Sequence, residues 1–140
     1  MAAADLNTIR SAIESRLIVE LALAPPIPVV FNNVSYSPTT DTSWVQCLVN
    51  FGAGEYLSLG ATTNSSNRIL GIIVINIFTP QAIGAGVNLE IAQRIRNLYN
   101  RVIVSEVYFD APIGPEVMQA SPEGFYQTQV RVTFEFIEEL

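Results

Sequence analysis

Residues 68–99 read RILGIIVINIFTPQAIGAGVNLEIAQRIRNLY, and the fold turns on how that run divides. From Arg68 to Phe78 it is apolar on both parities, with Ile69, Ile73, Ile75 and Ile77 alternating against Leu70, Ile72, Val74 and Phe78. A strand of that composition is expected at the centre of a sheet, covered on both faces. From about Val87 to Val102 the period becomes helical. Leu89, Ile91, Ala92, Ile95, Leu98, Tyr99 and Val102 share one half of the helical wheel, with Leu89 as first anchor. Glu90, Arg94, Asn97 and Arg101 form the opposite stripe, Glu90 and Arg94 being spaced for an i,i+4 pair. Arg96 falls at the edge of the apolar half. Strand, glycine-containing loop and helix are the order of a phosphate-cradling loop. The dinucleotide pattern, however, needs a third glycine where Leu89 stands, and the phosphate-loop pattern needs a lysine, which the chain lacks. Gly84-Ala85-Gly86 is therefore expected to turn the chain, with Asn88 or a backbone group capping the helix, and to bind no cofactor.

Outward from this run, Leu6, Ile9, Ile13, Leu17 and Leu21 recur at helical spacing within residues 5–24, with Asp5 as N-cap and Pro25-Pro26 as terminator. Strands are expected from Ile27 to Ser35 and from Trp44 to Phe51, separated by the turn chemistry of Ser37 to Asp41. Residues 52–67 form a long loop around an apolar island, Tyr56-Leu57-Ser58-Leu59, which suits an arm gripping a neighbour. A fourth strand is expected over Val102 to Phe109, followed by a second long loop, 111–124. In the last strand Tyr126, Thr128, Val130, Val132, Phe134 and Phe136 face one way, and Gln127, Gln129, Arg131, Thr133 and Glu135 the other. The expectation is one α+β domain over residues 1–140. It has the order α-β-β-β-α-β-β, a mixed, mainly antiparallel sheet of about five strands, and both helices on one face.

Composition narrows the function. The chain has no His, so triad catalysis and His-ligated metals are excluded. Cys47 is the only cysteine and alternates with Val45, Val49 and Phe51 like a small core residue. Glu106 and Asp110, four apart on an expected strand, are the carboxylate pair left to an acid/base enzyme or a small-ligand module, but no apolar setting splits their pKa values. An enzyme is not expected. A net charge of −6 excludes a protein that grips nucleic acid. No apolar run approaches the ~18 residues of a membrane span, and MAAADLNTIR carries no basic leader, so a soluble cytosolic protein is expected. Yet 49% of residues are hydrophobic and only 14% charged, and all seven basic residues are Arg. Arg is favoured and Lys disfavoured at protein interfaces, which points to surface covered by copies of the chain or by a partner.

Three stretches together resemble the phage tail terminator-like family of head-to-tail connection proteins. PPIPVVFNNVSYSPTTDTSWVQCLVNFG is similar to that family's strand, turn and second strand. LGIIVINIFTPQAIGAGVNLEIAQRIRNLY is similar to its buried strand, loop and helix, and EGFYQTQVRVTFEFIEE to its closing strand. The resemblance implies a virion protein, assembled in the host cytoplasm, that forms a ring, typically a hexamer. Such a ring caps the tail tube, ends its growth and meets a head-completion protein, while DNA passes through without specific binding. Ring subunits need two different contact surfaces. The expected interface residues are Tyr56, Leu57 and Leu59 of the arm, Arg68, and Glu90, Arg94 and Arg101. Another neck component, a head-completion or adaptor protein, is the alternative reading.

Overall fold

The computed structural model describes residues 5–23, 26–39, 41–56, 66–119 and 121–139. Helix α1 runs Leu6–Leu21. Its Asp5 cap accepts the Thr8 backbone N–H at 2.7 Å, a bond that holds the Asp5 carboxyl below its ordinary pKa. Ile9, Ile13, Leu17 and Leu21 are fully buried, each contributing ~1.5–3 kcal/mol by burial. Leu6 is exposed, so the stripe begins one turn later than its spacing implied. Strand β1 is only Val29–Val30, parallel to β2, Trp44–Tyr56. The expected strand over 27–35 is cut short because Pro26 and Pro28 cannot donate to a ladder and Asn33 takes φ 59. Asn32 replaces part of the missing pairing, its side-chain oxygen accepting the Val49 N–H at 3.0 Å.

Strand β3 (Ser66–Pro80) pairs antiparallel with β2 on one side and with β7 (Phe125–Glu139) on the other, and so is central as expected. Helix α2 (Gly86–Tyr99) follows it. The expected strand 102–109 is instead a hairpin, β4 (Ile103–Val104) and β5 (Val107–Phe109). Ser105 and Glu106 both take positive φ, 49 and 67, which is the backbone of a tight two-residue hairpin turn. The expected loop 111–124 contains another strand, β6 (Ile113–Val117), paired with β7. The result is an α+β fold with a mixed, mostly antiparallel seven-stranded sheet ordered β1-β2-β3-β7-β5-β4, with β6 also on β7.

Both helices cover one face, where Val45, Cys47, Ile73, Ile75, Ile77, Val130, Val132, Phe134 and Phe136 join them in the main core. They run antiparallel and fasten each other's ends. Tyr99 donates its hydroxyl to the Ile13 carbonyl at 2.8 Å, Arg16 Nε donates to the Leu98 carbonyl at 3.0 Å, and Arg94 Nη2 donates to the Glu20 carbonyl at 2.7 Å. Guanidinium groups thus satisfy the carbonyls that each helix leaves open at its C-terminus. The opposite face of β3 is not covered as the sequence pattern implied. Trp44, Phe78 and Phe125 with Val30 close it at one end, Trp44 stacking on Phe78 at 4.1 Å. Beyond them Gln46, Asn76 and Gln129 lie side by side across three strands and link their amides at 2.9–3.1 Å. Leu70, Ile72 and Val74 beyond that ladder are only half-buried.

Candidate assembly interface

The Gly84-Ala85-Gly86 loop turns the chain from β3 into α2. Gly84, at φ +83, is the glycine the turn requires; a side chain at Gly86 would meet nothing within 4 Å. Helix α2 begins at Ala85 with no side-chain cap. Asn88 does not cap it but is fully buried and points into the sheet. Its Nδ2 donates to the carbonyls of Ile77 at 3.1 Å and Tyr126 at 3.3 Å, and its Oδ1 accepts the Thr128 hydroxyl. The buried face is therefore Asn88, Ile91, Ala92, Ile95 and Tyr99, while Leu89, expected as first anchor, is half exposed.

The remaining chemistry-bearing residues are also separated. Glu106 sits in the hairpin turn and Asp110 follows β5, accepting the Thr133 hydroxyl at 2.6 Å, so they do not share a strand face. Cys47 is fully buried, and burial first, with Glu14 nearby second, pushes its thiol up to about 12. Among the described residues, no group of three or more His, Cys, Asp and Glu could hold a metal, and no helix is long and apolar enough to cross a membrane.

What the surface does carry is apolar groups at the two edges of the sheet. At the β1 edge, Ile18, Leu21, Ala22, Pro26, Ile27, Pro28, Val29 and Phe31 line a groove of about 570 Å³. Ile18, Val19 and Leu23 beside it are 47%, 66% and 56% exposed. Ile27, Val29 and Phe31 pack against the main core, which places this groove on the helix side of the sheet. At the other edge the β4–β5 hairpin pairs Ile103 with Tyr108, 64% and 46% exposed. Tyr108 lies opposite Glu135, whose neighbours Phe134 and Phe136 point into the core, so the Ile103–Tyr108 pair faces away from the helices. Ile137 extends the patch on the same parity of β7, around an Arg68–Glu135 ion pair at 3.4 Å.

The expected interface residues divide between these places. Arg68 lies in the hairpin-side patch, and Arg101, exposed at φ 58, lines the adjoining hollow with Ile103 and Tyr108. Arg101 is beyond the end of α2, not on its stripe. Arg94 turns to Glu20, whose carboxylate is 3.4 Å from its Nε, instead of to Glu90. It supports the end of α1 beside the groove, and Arg94→Glu would disturb the fold before it tested any contact. Glu90 is exposed on α2. Tyr56 closes the described part of β2, and its side chain, like Leu57 and Leu59, lies outside the described residues. Arg96 bridges from α2 to the Pro112 and Gly114 carbonyls at 2.8 and 2.6 Å. Sequence reasoning missed the groove and the hairpin patch. The available signal was the clustering of Ile18-Val19 and Leu23 off the buried stripe of α1.

Comparison with known proteins agrees with this architecture. No curated protein matches the chain. A solved structure superposes on it with a TM-score of 0.72 at 16% identity, covering 94% of this chain and 95% of the other, which speaks for the fold. A family model described as phage tail terminator protein matches residues 8–111, from the first turns of α1 to just past β5. The chain therefore belongs to the phage tail terminator family, structural proteins of the bacteriophage tail.

Proposed function

We propose that this protein ends tail assembly by forming a ring, of six subunits, on the last ring of the tail tube. There it stops tube growth and offers its far side to the head-completion proteins, so that DNA leaves the head through its lumen. The observation that carries this reading is the pair of unlike apolar patches at opposite edges of one sheet. A ring is closed by heterologous contacts, which need two different surfaces per subunit, whereas a two-fold dimer needs one surface that matches itself. The acidic balance suits a lumen that DNA slides through without being held, since gripping DNA requires a basic face. Buried carboxylate chemistry and a nucleotide loop, the other uses this chain could have had, find no support in the placement of Glu106, Asp110 and Gly84.

The test is to polymerise the phage's tail tube protein with and without this chain and image the products. Tubes of limited length with added density at one end are the expected result. Tubes that grow unchanged and uncapped, or a protein that binds only the head side of the neck, would overturn the reading in favour of another neck component.

A further inference from the structure

We propose that the ring closes by overlap: the β4–β5 hairpin of one copy seats Ile103 and Tyr108 in the α1–β1 groove of the next, against Ile18, Ala22, Ile27 and Phe31. This rests on the ring reading and specifies its contact.

Three features favour a second copy as the occupant. The patches lie at opposite edges of the sheet and on opposite faces, helix side at β1 and bare side at β4. That is the arrangement of overlapping tiles, in which the lower face of one edge rests on the upper face of the neighbour's other edge. Their surfaces also suit each other, an edge hairpin with a tight two-residue turn that exposes Ile103 and Tyr108 against a concave groove lined by apolar side chains. Finally, the charges complement. The last turn of α1 holds no basic residue of its own, and since Glu20 there is already paired with Arg94, what it offers a neighbour is the negative end of the helix dipole. Arg101, exposed at the base of the hairpin, would come to that end when Ile103 enters the groove. The acids that line the same hollow are already engaged, Asp110 by the Thr133 hydroxyl and Glu135 by Arg68, while Glu106 sits in the hairpin turn.

The experiment uses Ile18→Cys and Ile103→Cys, both at exposed positions, in full-length protein whose only native thiol, Cys47, is buried. With a short bismaleimide on tube-bound protein, each variant alone should give no cross-linked dimer. Their mixture should give dimers only, and the double variant a ladder that ends at the closed ring. Ile103→Asp should weaken subunit association about tenfold or more, in line with losing one buried isoleucine contact. Rings seen by native mass spectrometry or microscopy without 18–103 cross-links would overturn the pairing and leave the ring standing. Dimers from one variant alone would reveal a two-fold contact and overturn it as well. Protein found as monomers on the tube end would overturn the ring itself.

Discussion

Replacing Asn88 by alanine should cost about 4 kcal/mol. The amide donates to the Ile77 and Tyr126 carbonyls and accepts from Thr128, in a setting where Asn88 and Thr128 are both fully buried. Three such bonds at ~1 kcal/mol each give ~3, and stranding the buried Thr128 hydroxyl adds ~1 or more. Against a total stability of ~5–15 kcal/mol this is a large share. With a urea slope of roughly 2 kcal/mol per M, the unfolding midpoint should fall by about 2 M. Thr128→Val alone should cost ~1–2 kcal/mol, since it leaves the Asn88 oxygen without that donor. Asn88→Ala with Thr128→Val should cost less than the two single changes together, by ~1–2 kcal/mol, because the bond they share is lost once and neither partner is left stranded. An Asn88→Ala loss below ~1 kcal/mol, or strictly additive single changes, would refute the assignment of this amide as the anchor of α2. The consequence reaches assembly, because α2 carries Arg94, which holds the end of α1 beside the groove.

Other outcomes follow from the same packing. Gly71→Ala should destabilise by ~1–3 kcal/mol, since its Cβ would lie 2.3 Å from the Phe134 ring and 2.8 Å from the Asn50 carbonyl oxygen; a thermal midpoint lowered by less than about 3 °C would contradict it. Cys47 should ignore a thiol reagent at pH 8 in the native protein and react once per chain on unfolding. Because the folded state holds the Cys47 proton to about 12 against an ordinary 9.0, the unfolded chain loses it first, and stability should fall as pH rises from 9 towards 12. Burial likewise pushes the Tyr99 phenol upwards and adds to that fall above its ordinary 10.0. Each group contributes up to about 1.4 kcal/mol per pH unit, and Cys47→Ala should flatten the slope between pH 9 and 10. Arg94→Ala should loosen the α1 end first, seen as faster amide exchange at Ala22 and Leu23 before the core strands are affected.

Much of the fold was legible because it rests on periodicity. The Ile9–Ile13–Leu17–Leu21 stripe and the alternation of β7 each state which face is buried, and the apolar run 68–78 marked the central strand, though not that its second face is left half open. The misses have separate physical causes. Val102 to Phe109 is rich in β-branched residues, and the hairpin turn at Ser105-Glu106 uses positive φ without the Asn-Gly or Asp-Gly that normally announces it. Pro112 and Pro115 made β6 look like loop, although Pro115 sits where the register with β7 shifts and no ladder donor is needed. Leu89 outranked Asn88 as an anchor because a pattern of apolar residues cannot register a buried amide whose partners Ile77, Tyr126 and Thr128 are 11 to 40 positions away. The assembly patches were only partly legible. Arg101 was singled out as part of a helix stripe that ends before it, and the groove exists only once β1 is laid parallel to β2 against α1. The role of Arg94 depends on Glu20, 74 positions distant.

What sits at the end of a tail tube tests the proposed ring most directly. A cryo-electron microscopy reconstruction of tubes assembled with this protein should show one closed ring at a single end, each subunit's β4–β5 hairpin lying on the α1–β1 groove of its neighbour. Bare tube ends, with the protein free in solution and tube length unchanged, would contradict it.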